Sequence, residues 1–244
     1  MILTPQQFKN NELLPGHIVR QHGENGLPDL FRTRSGTDSS AAPARQSAEV
    51  VMFTSFPPRE CGIATFSQDL RNAVCRIYED TVTVSICALE QKGISHHYSP
   101  EVKYILKTDE EKSYKSVTLQ LLHNPQLKAI IVQHEFGLFA EDCEQHFLDL
   151  LRAVRKPVIL ALHTVLPDPS PAFRERVINL SAIADRLVVM TNHAAALLQQ
   201  EYGIAPDKID VIAHGTHFFN MEDKETLKKK YHLSGRTVLS TFGL

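Results

Sequence analysis

The sequence has 244 residues, of which 43% are hydrophobic and 22% charged, values typical of a globular protein. Its 26 basic and 28 acidic residues leave a formal net charge of −2, which excludes the strongly basic surface of a nucleic-acid-binding protein. No run of about 20 consecutive apolar residues predicts a membrane span. The first residues lack the basic and apolar regions of a secretory signal, and the four cysteines form no CxxC pair. These features predict a cytoplasmic protein with reduced thiols.

The first 48 residues differ in composition from the rest of the chain. Residues 26–48 are rich in Gly, Pro, Ser, Thr and Arg and hold few large apolar side chains. Such a segment buries too little surface to offset its ordering entropy, so we predict a mobile extension over residues 1–48. Residues 2–20 hold more apolar side chains, and a short helix docked on the rest of the protein is the alternative for that part.

From residue 49 onward, short apolar runs alternate with segments whose apolar residues recur at helical spacing. The apolar runs predict strands at residues 50–53, 82–87, 102–106, 129–132, 157–162, 187–190 and 209–212. Strands that alternate with helices imply a parallel sheet, and continuous apolar runs imply helices on both of its faces. We therefore predict an α/β domain over residues 49–221 with a Rossmann-like, doubly wound parallel sheet. Ligands of such a sheet bind beyond the carboxyl ends of the strands.

The end of the sequence has a different pattern. Residues 222–231 predict a charged helix, and residues 236–244 begin another apolar strand. A domain rarely ends on an unfinished apolar strand. We therefore predict that residues 222–244 are a linker helix and the first strand of a second domain, which is truncated in this chain.

The first predicted strand leads through a short loop into a helix that begins near Gly62 and Ile63. The free amide groups at the start of a helix, together with the positive end of its dipole, suit an anion such as a phosphate. A glycine before a helix is also a common turn residue. The pattern by itself leaves that structural interpretation open.

Polar residues follow two later strands of the predicted sheet. His134 and Glu135 are adjacent, so their side chains point to opposite sides and one of them is expected to face the ligand edge. An imidazole or a carboxylate there can bind sugar hydroxyl groups, although a histidine bonded to the local backbone is the alternative. His163 and Thr164 come directly after the next strand, at the start of a proline-rich loop, where they are placed to meet a substrate.

Several common site motifs are missing. The sequence contains neither GxGxxG nor GxxxxGK[ST], which disfavours a dinucleotide-dependent dehydrogenase and a P-loop NTPase. The GxSxG motif of a serine hydrolase is also missing. The 12 histidines form no HExxH motif and no Cys/His spacing typical of zinc, so no metal site is predicted.

Four segments resemble, in the same order, the motifs of a bacterial branch of the family 4-like (group 1) glycosyltransferases. They are FPPRECGIATF at residues 56–66, VQHEFG at 132–137, LHTVLPDPSP at 162–171 and KIDVIAHG at 208–215. The resemblance implies the N-terminal half of a GT-B fold, in which two Rossmann-like domains face each other across a cleft. In that family the N-terminal domain mainly holds the acceptor, and the C-terminal domain mainly holds the nucleotide sugar.

The resemblance also implies a chemistry and its residues. The expected reaction is a retaining, metal-free transfer of a hexosyl unit from a UDP- or GDP-linked sugar, which acts as a substrate, with no cofactor. By position, Gly62 and Ile63 would lie at the donor phosphates, and His163 would be the catalytic residue at the reacting sugar. The acceptor side would be lined by His134, Glu135 and Thr164.

The expected partners are the nucleotide-sugar donor, a carbohydrate or similar acceptor, and the missing donor-binding domain. A lipid-linked acceptor would bring the protein to a membrane surface. Because the motifs of the donor-binding half are missing, we expect this chain to be inactive by itself. The alternative is a non-catalytic Rossmann-like module that binds a sugar or nucleotide or docks onto a partner, and a third interpretation is another GT-B enzyme such as a sugar epimerase.

Overall fold

The computed structural model describes residues 47–139, 143–215 and 222–241. The extension predicted over residues 1–48 lies outside the described residues, apart from its last two. The strands are β1 Ala48–Thr54, β2 Val82–Glu90, β3 Val102–Lys107, β4 Leu127–His134, β5 Val158–Leu162, β6 Arg186–Val189 and β7 Ile209–Val211. The α-helices are α1 Gly62–Tyr78, α2 Glu111–Leu122, α3 Glu144–Val154, α4 Pro171–Ile183, α5 Asn192–Gln200 and α6 Lys224–Lys230.

The seven strands form one parallel sheet in the order β3-β2-β1-β4-β5-β6-β7. From β1 the chain first builds outward to β3, then crosses back to β4 on the other side of β1 and continues to β7. This reversal between β1 and β4 defines a doubly wound, Rossmann-like sheet. The predicted fold class is therefore confirmed.

Both faces of the sheet are apolar because helices cover both of them. On one face α1 packs over a cluster that includes Met52 and Ile86. On the other face α2, α3, α4 and α5 cover a larger cluster, in which the rings of Phe53 and Phe147 meet edge to face with centroids 5.5 Å apart. This two-sided burial explains why the strands appear in the sequence as continuous apolar runs.

Side chains before three helices mark where the chain turns from the carboxyl edge of the sheet into a helix. Cys61 caps α1, Ser170 caps α4 with Pro171 at its first position, and Thr191 caps α5. Each of these side chains accepts a hydrogen bond from an amide in the first helical turn, which leaves fewer amides there without an acceptor. The loops at this edge are therefore held at both ends by regular structure.

The end of the described chain lies outside the sheet. The predicted charged helix is present as α6, and residues 236–241 have no regular secondary structure. Leu239 is 94% exposed. The assignment of residues 222–244 to a further domain stays a prediction, and residues 242–244 lie outside the described part. No helix in the described ranges is both long and apolar enough to span a bilayer.

Candidate functional site

A cleft of about 490 Å³ opens at the carboxyl edge of the sheet, where the topology reverses between β1 and β4. Ligands of doubly wound sheets bind at this reversal because the connections on either side of it leave in opposite directions and separate. The cleft is lined by side chains that follow β1, β4, β5 and β7. In the described part of the chain these are Arg59, Cys61, Gly62, Ile63, Phe66, Glu135, Gly137, Leu138, His163 and His214.

The start of α1 forms one wall of the cleft. The Cys61 sulfur accepts a hydrogen bond from the amide of Ala64 at 3.4 Å, while the amides of Gly62 and Ile63 have no acceptor among the described residues. Gly62 does not have a positive φ, and a Cβ atom added there would meet no atom within 4 Å. The backbone therefore does not require a glycine at this turn. A glycine here instead leaves the helix start open to the cleft.

Arg59 lies beside the same helix start. Its Nη2 atom donates to Oε1 of Gln91 at 3.0 Å, and the Gln91 amide donates to the backbone carbonyl of Gly137. These contacts link the loops after β1, β2 and β4. No carboxylate of the described residues forms an ion pair with Arg59, and its Nη1 atom is buried without a hydrogen bond. A cation at the positive end of a helix is unfavourable unless an anion binds there, so this corner of the cleft suits a phosphate or a carboxylate.

Glu135 also lines the cleft, directly after β4. One carboxylate oxygen accepts a hydrogen bond from the Phe136 amide at 3.0 Å, and the other accepts from the Thr164 hydroxyl at 2.6 Å. These two bonds hold the carboxylate at the end of the strand. Thr164 therefore acts on the site through Glu135, and Glu135 rather than Thr164 lines the cleft.

His163 follows β5 and lines the same cleft. Its backbone amide donates to the carbonyl of His134 at 3.1 Å, which continues the ladder between β4 and β5. Its ring Nε2 lies 2.8 Å from Oε1 of the buried Gln133. Burial lowers the pKa of His163, and His214 lowers it further, while Glu135 opposes the shift. The ring is therefore neutral at neutral pH.

The ring of Phe66 contacts two histidines of the cleft from the α1 side. The ring of Phe66 meets the rings of His163 and His214 edge to face, with centroids 5.3 and 5.2 Å away. Phe66 is one of the apolar residues at helical spacing in α1, and the structure places its ring against the two histidines of the cleft. His214 comes after β7 and connects the far side of the sheet to the site.

His134 does not line the cleft, although the sequence predicts it on the acceptor side. Its ring is only 1% exposed and stacks on Phe139 on the opposite face of the sheet from α1, with centroids 5.2 Å apart. Because adjacent residues of a strand point to opposite faces, Gln133 turns toward the cleft side and His134 toward the core. Burial, and then the nearby charge of Arg176, lower the pKa of His134 to about 3.

The structure thus brings together Gly62, Ile63, Glu135 and His163 from the predicted set. Their roles toward a ligand stay predictions. The sequence did not single out Arg59, Phe66 or Gln133 for a role. A signal existed for Gln133, since it is the polar residue that directly follows the apolar run of residues 129–132. Within the described ranges, no three or more His, Cys, Asp or Glu side chains are grouped to hold a metal ion.

The fold and cleft define the class of the protein as a Rossmann-like domain with a cleft at the switch point of its sheet. The profile of the family described as Glycosyltransferase Family 4 matches residues 61–217, which is more than half of the chain. The chain therefore belongs to Glycosyltransferase Family 4. The matched segment contains every predicted site residue.

One of the similar solved structures supports the fold, and two others match less well. The glycosyltransferase from Rickettsia africae matches with a TM-score of 0.52 and 13% identity, over 78% of this chain and 50% of that chain. Anabaena Alr3699/HepE, in complex with UDP and glucose, matches with a TM-score of 0.49 and 11% identity, over 76% of this chain and 50% of that one. An alpha-glucosyltransferase in complex with UDP-glucose and DNA containing an abasic site matches with a TM-score of 0.44 and 15% identity, over 65% of this chain and 40% of that one. This chain thus spans at most half the length of these proteins, and no curated protein sequence matches it.

Proposed function

We propose that this chain is the acceptor-side half of a retaining glycosyltransferase that transfers a hexosyl unit from a UDP- or GDP-linked sugar to a carbohydrate or similar acceptor. Membership of Glycosyltransferase Family 4 supports the transferase activity. The single observation that carries the assignment to this site is the convergence of Gly62, Ile63 and His163 on one cleft at the switch point of the sheet. The nucleotide sugar is a substrate, and the proposal includes no metal or other cofactor.

The proposed chemistry divides the cleft into two sides. The amides of Gly62 and Ile63 and the guanidinium of Arg59 stabilise the negative charge that develops on the leaving diphosphate. His163 is the catalytic residue in contact with the transferred sugar, and it is neutral there. Glu135, held by Thr164, accepts hydrogen bonds from acceptor hydroxyl groups and orients them, a contribution that comes from positioning.

The donor is mainly held by a second domain in this proposal, so the chain by itself binds ligand without turning it over. The alternative is a non-catalytic module that binds a sugar or nucleotide in the same cleft, or docks onto a partner. Both proposals use the same residues for binding. They differ in whether a donor-binding domain placed opposite the cleft produces transfer.

Transfer is tested with the chain alone and with the chain fused to the donor-binding half of a Family 4 enzyme, each incubated with UDP- and GDP-hexoses and a panel of sugar acceptors. We expect ligand binding by the chain alone, and a glycosylated product with the donor's anomeric configuration from the fusion. Turnover by the chain alone at the rate of the fusion contradicts the half-enzyme. Binding without transfer by the fusion favours the non-catalytic module.

A Gly62→Ala variant separates a binding role of Gly62 from a turn role. Alanine is a better helix former than glycine, and space for its methyl group exists, so the free energy of unfolding stays equal or rises by up to about 1 kcal/mol. The methyl group covers the helix start, so we expect about tenfold weaker binding of UDP, equal to about 1.4 kcal/mol. Gly203→Ala is the matched control, because Gly203 has a φ of 70° and should lose stability without losing binding.

A further inference from the structure

Gln133 is a buried polar residue near the carboxyl end of β4. It is the second-last residue of β4, and it is only 1% exposed. An unpaired buried amide costs about 1–3 kcal/mol, so such a side chain is tolerated when its hydrogen bonds are made. The Oε1 atom of Gln133 lies 2.8 Å from Nε2 of His163. Gln133 is thus buried beneath the cleft and contacts His163, which lines it.

The direction of this hydrogen bond determines which ring nitrogen of His163 carries a proton. An amide oxygen can only accept, so Nε2 of His163 must donate, and in a neutral imidazole Nδ1 is then an acceptor. The buried side-chain atoms without a partner include both ring nitrogens of His134 but neither nitrogen of His163. Because Nδ1 of His163 also makes no hydrogen bond in the described part of the chain, this atom is accessible from the cleft.

We propose that Gln133 is a positioning residue that holds His163 in the Nε2–H tautomer, so that Nδ1 accepts a hydrogen bond from a hydroxyl group of the bound sugar. The part that concerns the sugar rests on the proposed function, whereas the part that concerns the tautomer does not. Among the described residues none of the other groups near the His163 ring forms a hydrogen bond with Nδ1, and the nearest imidazole, that of His214, has its ring centroid 6.4 Å away. Phe66 presents a ring edge or face, and the Glu135 oxygens are bonded to Phe136 and Thr164.

The chemical consequence is a selection among ligand groups. A lone pair at Nδ1 attracts a hydroxyl donor and repels a phosphate or carboxylate oxygen, which can only accept. The corner at Arg59 therefore suits the phosphate end of a sugar phosphate, and the acceptor atom of His163 suits a hydroxyl group of the sugar. The opposite tautomer would present a donor at the same place and would lose this selection.

The tautomer is measured directly by nitrogen NMR of the chain labelled with ¹⁵N at the histidine rings, with the His163 signals assigned by their loss in His163→Gln. Two-bond nitrogen–proton correlations distinguish the two neutral tautomers. We expect protonated Nε2 and unprotonated Nδ1 in the unmodified chain. In Gln133→Leu we expect a mixture of both tautomers, and in Gln133→Glu the Nε2–H pattern returns because a carboxylate also accepts from Nε2. Gln120→Leu, on the exposed face of α2, is the control and should change nothing.

An Nδ1–H pattern in the unmodified chain overturns the proposal, and so does an unchanged pattern in a folded Gln133→Leu variant. If Gln133→Leu fails to fold, the unmodified chain and Gln133→Glu still decide the tautomer. In the active fusion, Gln133→Leu should lower kcat/KM about tenfold or more, and Gln133→Glu should recover most of the loss. A fusion without activity contradicts the proposed function and leaves the measured tautomer as an independent result.

Discussion

His134 illustrates how one side chain can resist protonation through burial. Its ring is closed off between Phe136, Phe139 and the rest of the core, and burial lowers its pKa from 6.5 to about 3. Both ring nitrogens lack a hydrogen-bond partner, so the charged form would be buried without compensation. The nearby Arg176 forms an ion pair with Glu144 and lies over the Phe136 ring, and its charge adds to the penalty.

The sign of the resulting pH dependence follows from linkage. Below pH 6.5 the unfolded chain binds a proton at His134 and the folded chain does not, so the free energy of unfolding falls as the pH falls toward 3. Each pH unit in this window contributes about 1.4 kcal/mol. Replacing His134 with phenylalanine should therefore remove about 2 kcal/mol of the stability lost between about pH 7 and about pH 5.

The measurement is urea denaturation of the unmodified chain and His134→Phe at both pH values. The change in the free energy of unfolding between the two pH values is compared for the two proteins, so the contributions of titrating groups that both proteins share cancel. His97→Gln, which removes an exposed imidazole, is the matched control for the loss of a histidine. An equal loss of stability in the unmodified chain and His134→Phe would show that the ring is accessible to protons in the folded state.

At the scale of elements, β7 is the weakest part of the sheet that bears on the site. It has three residues and forms the edge next to β6, and His214 follows it into the cleft. A cross-strand pair strengthens it, because Nε of Arg186 donates to Asp210 at 2.8 Å and a second nitrogen of the same guanidinium reaches the other carboxylate oxygen. Bidentate pairs of this kind fix geometry as well as adding energy.

We expect Asp210→Asn to loosen β7 locally while the rest of the sheet stays intact. Exposed ion pairs contribute up to about 1 kcal/mol, which corresponds to amide exchange that is about two- to fivefold faster. Hydrogen-exchange mass spectrometry of peptides that contain the Ile212 amide, which donates to Val189, measures this effect. Glu111→Gln breaks the exposed pair with Lys115 on α2 and is the control. Faster exchange throughout the sheet would instead show that the pair supports the global fold.

At the scale of the whole molecule, residues 236–241 provide a test of whether this segment belongs to a second domain. Val238 and Leu239 are 49% and 94% exposed, although both are strongly apolar. If they belong to a further domain, they contribute little to the stability of this one. Leu239→Ser should therefore change the free energy of unfolding of this chain by less than about 0.5 kcal/mol.

The same substitution in the fusion with a donor-binding half should lower the stability of that half, because a buried leucine would become a serine. Thermal unfolding of both proteins measures the two effects. Leu160→Ala, at a position that is 1% exposed, is the positive control and should cost about 2–5 kcal/mol in either protein. A large loss in the chain alone would mean that Leu239 packs on this domain.

Much of the fold follows from patterns that are local in sequence. The apolar runs of β1, β4 and β5 are continuous because both faces of each strand are buried, and that continuity by itself predicts a parallel sheet between helices. The placement of Gly62 and His163 at one edge also follows, since residues after parallel strands gather at the same side. Phe66 could not be assigned in this way, because helical spacing does not distinguish a core face from a face that borders a cleft.

The amino-acid sequence by itself determined the fold class, the edge of the sheet at which the cleft opens and the membership of a glycosyltransferase family, because these depend on periodicity and on motifs of adjacent residues. Only the tertiary structure decided that His134 enters the core while Glu135 lines the cleft, and that Gln133 contacts His163. The side chains of neighbouring residues in a strand point to opposite faces of the sheet. Which face each one points to depends on how α1 and α4 pack on the two sides of the sheet. Contacts between β4 and β5 bring together atoms about 30 residues apart in sequence, and no local pattern encodes such a pairing.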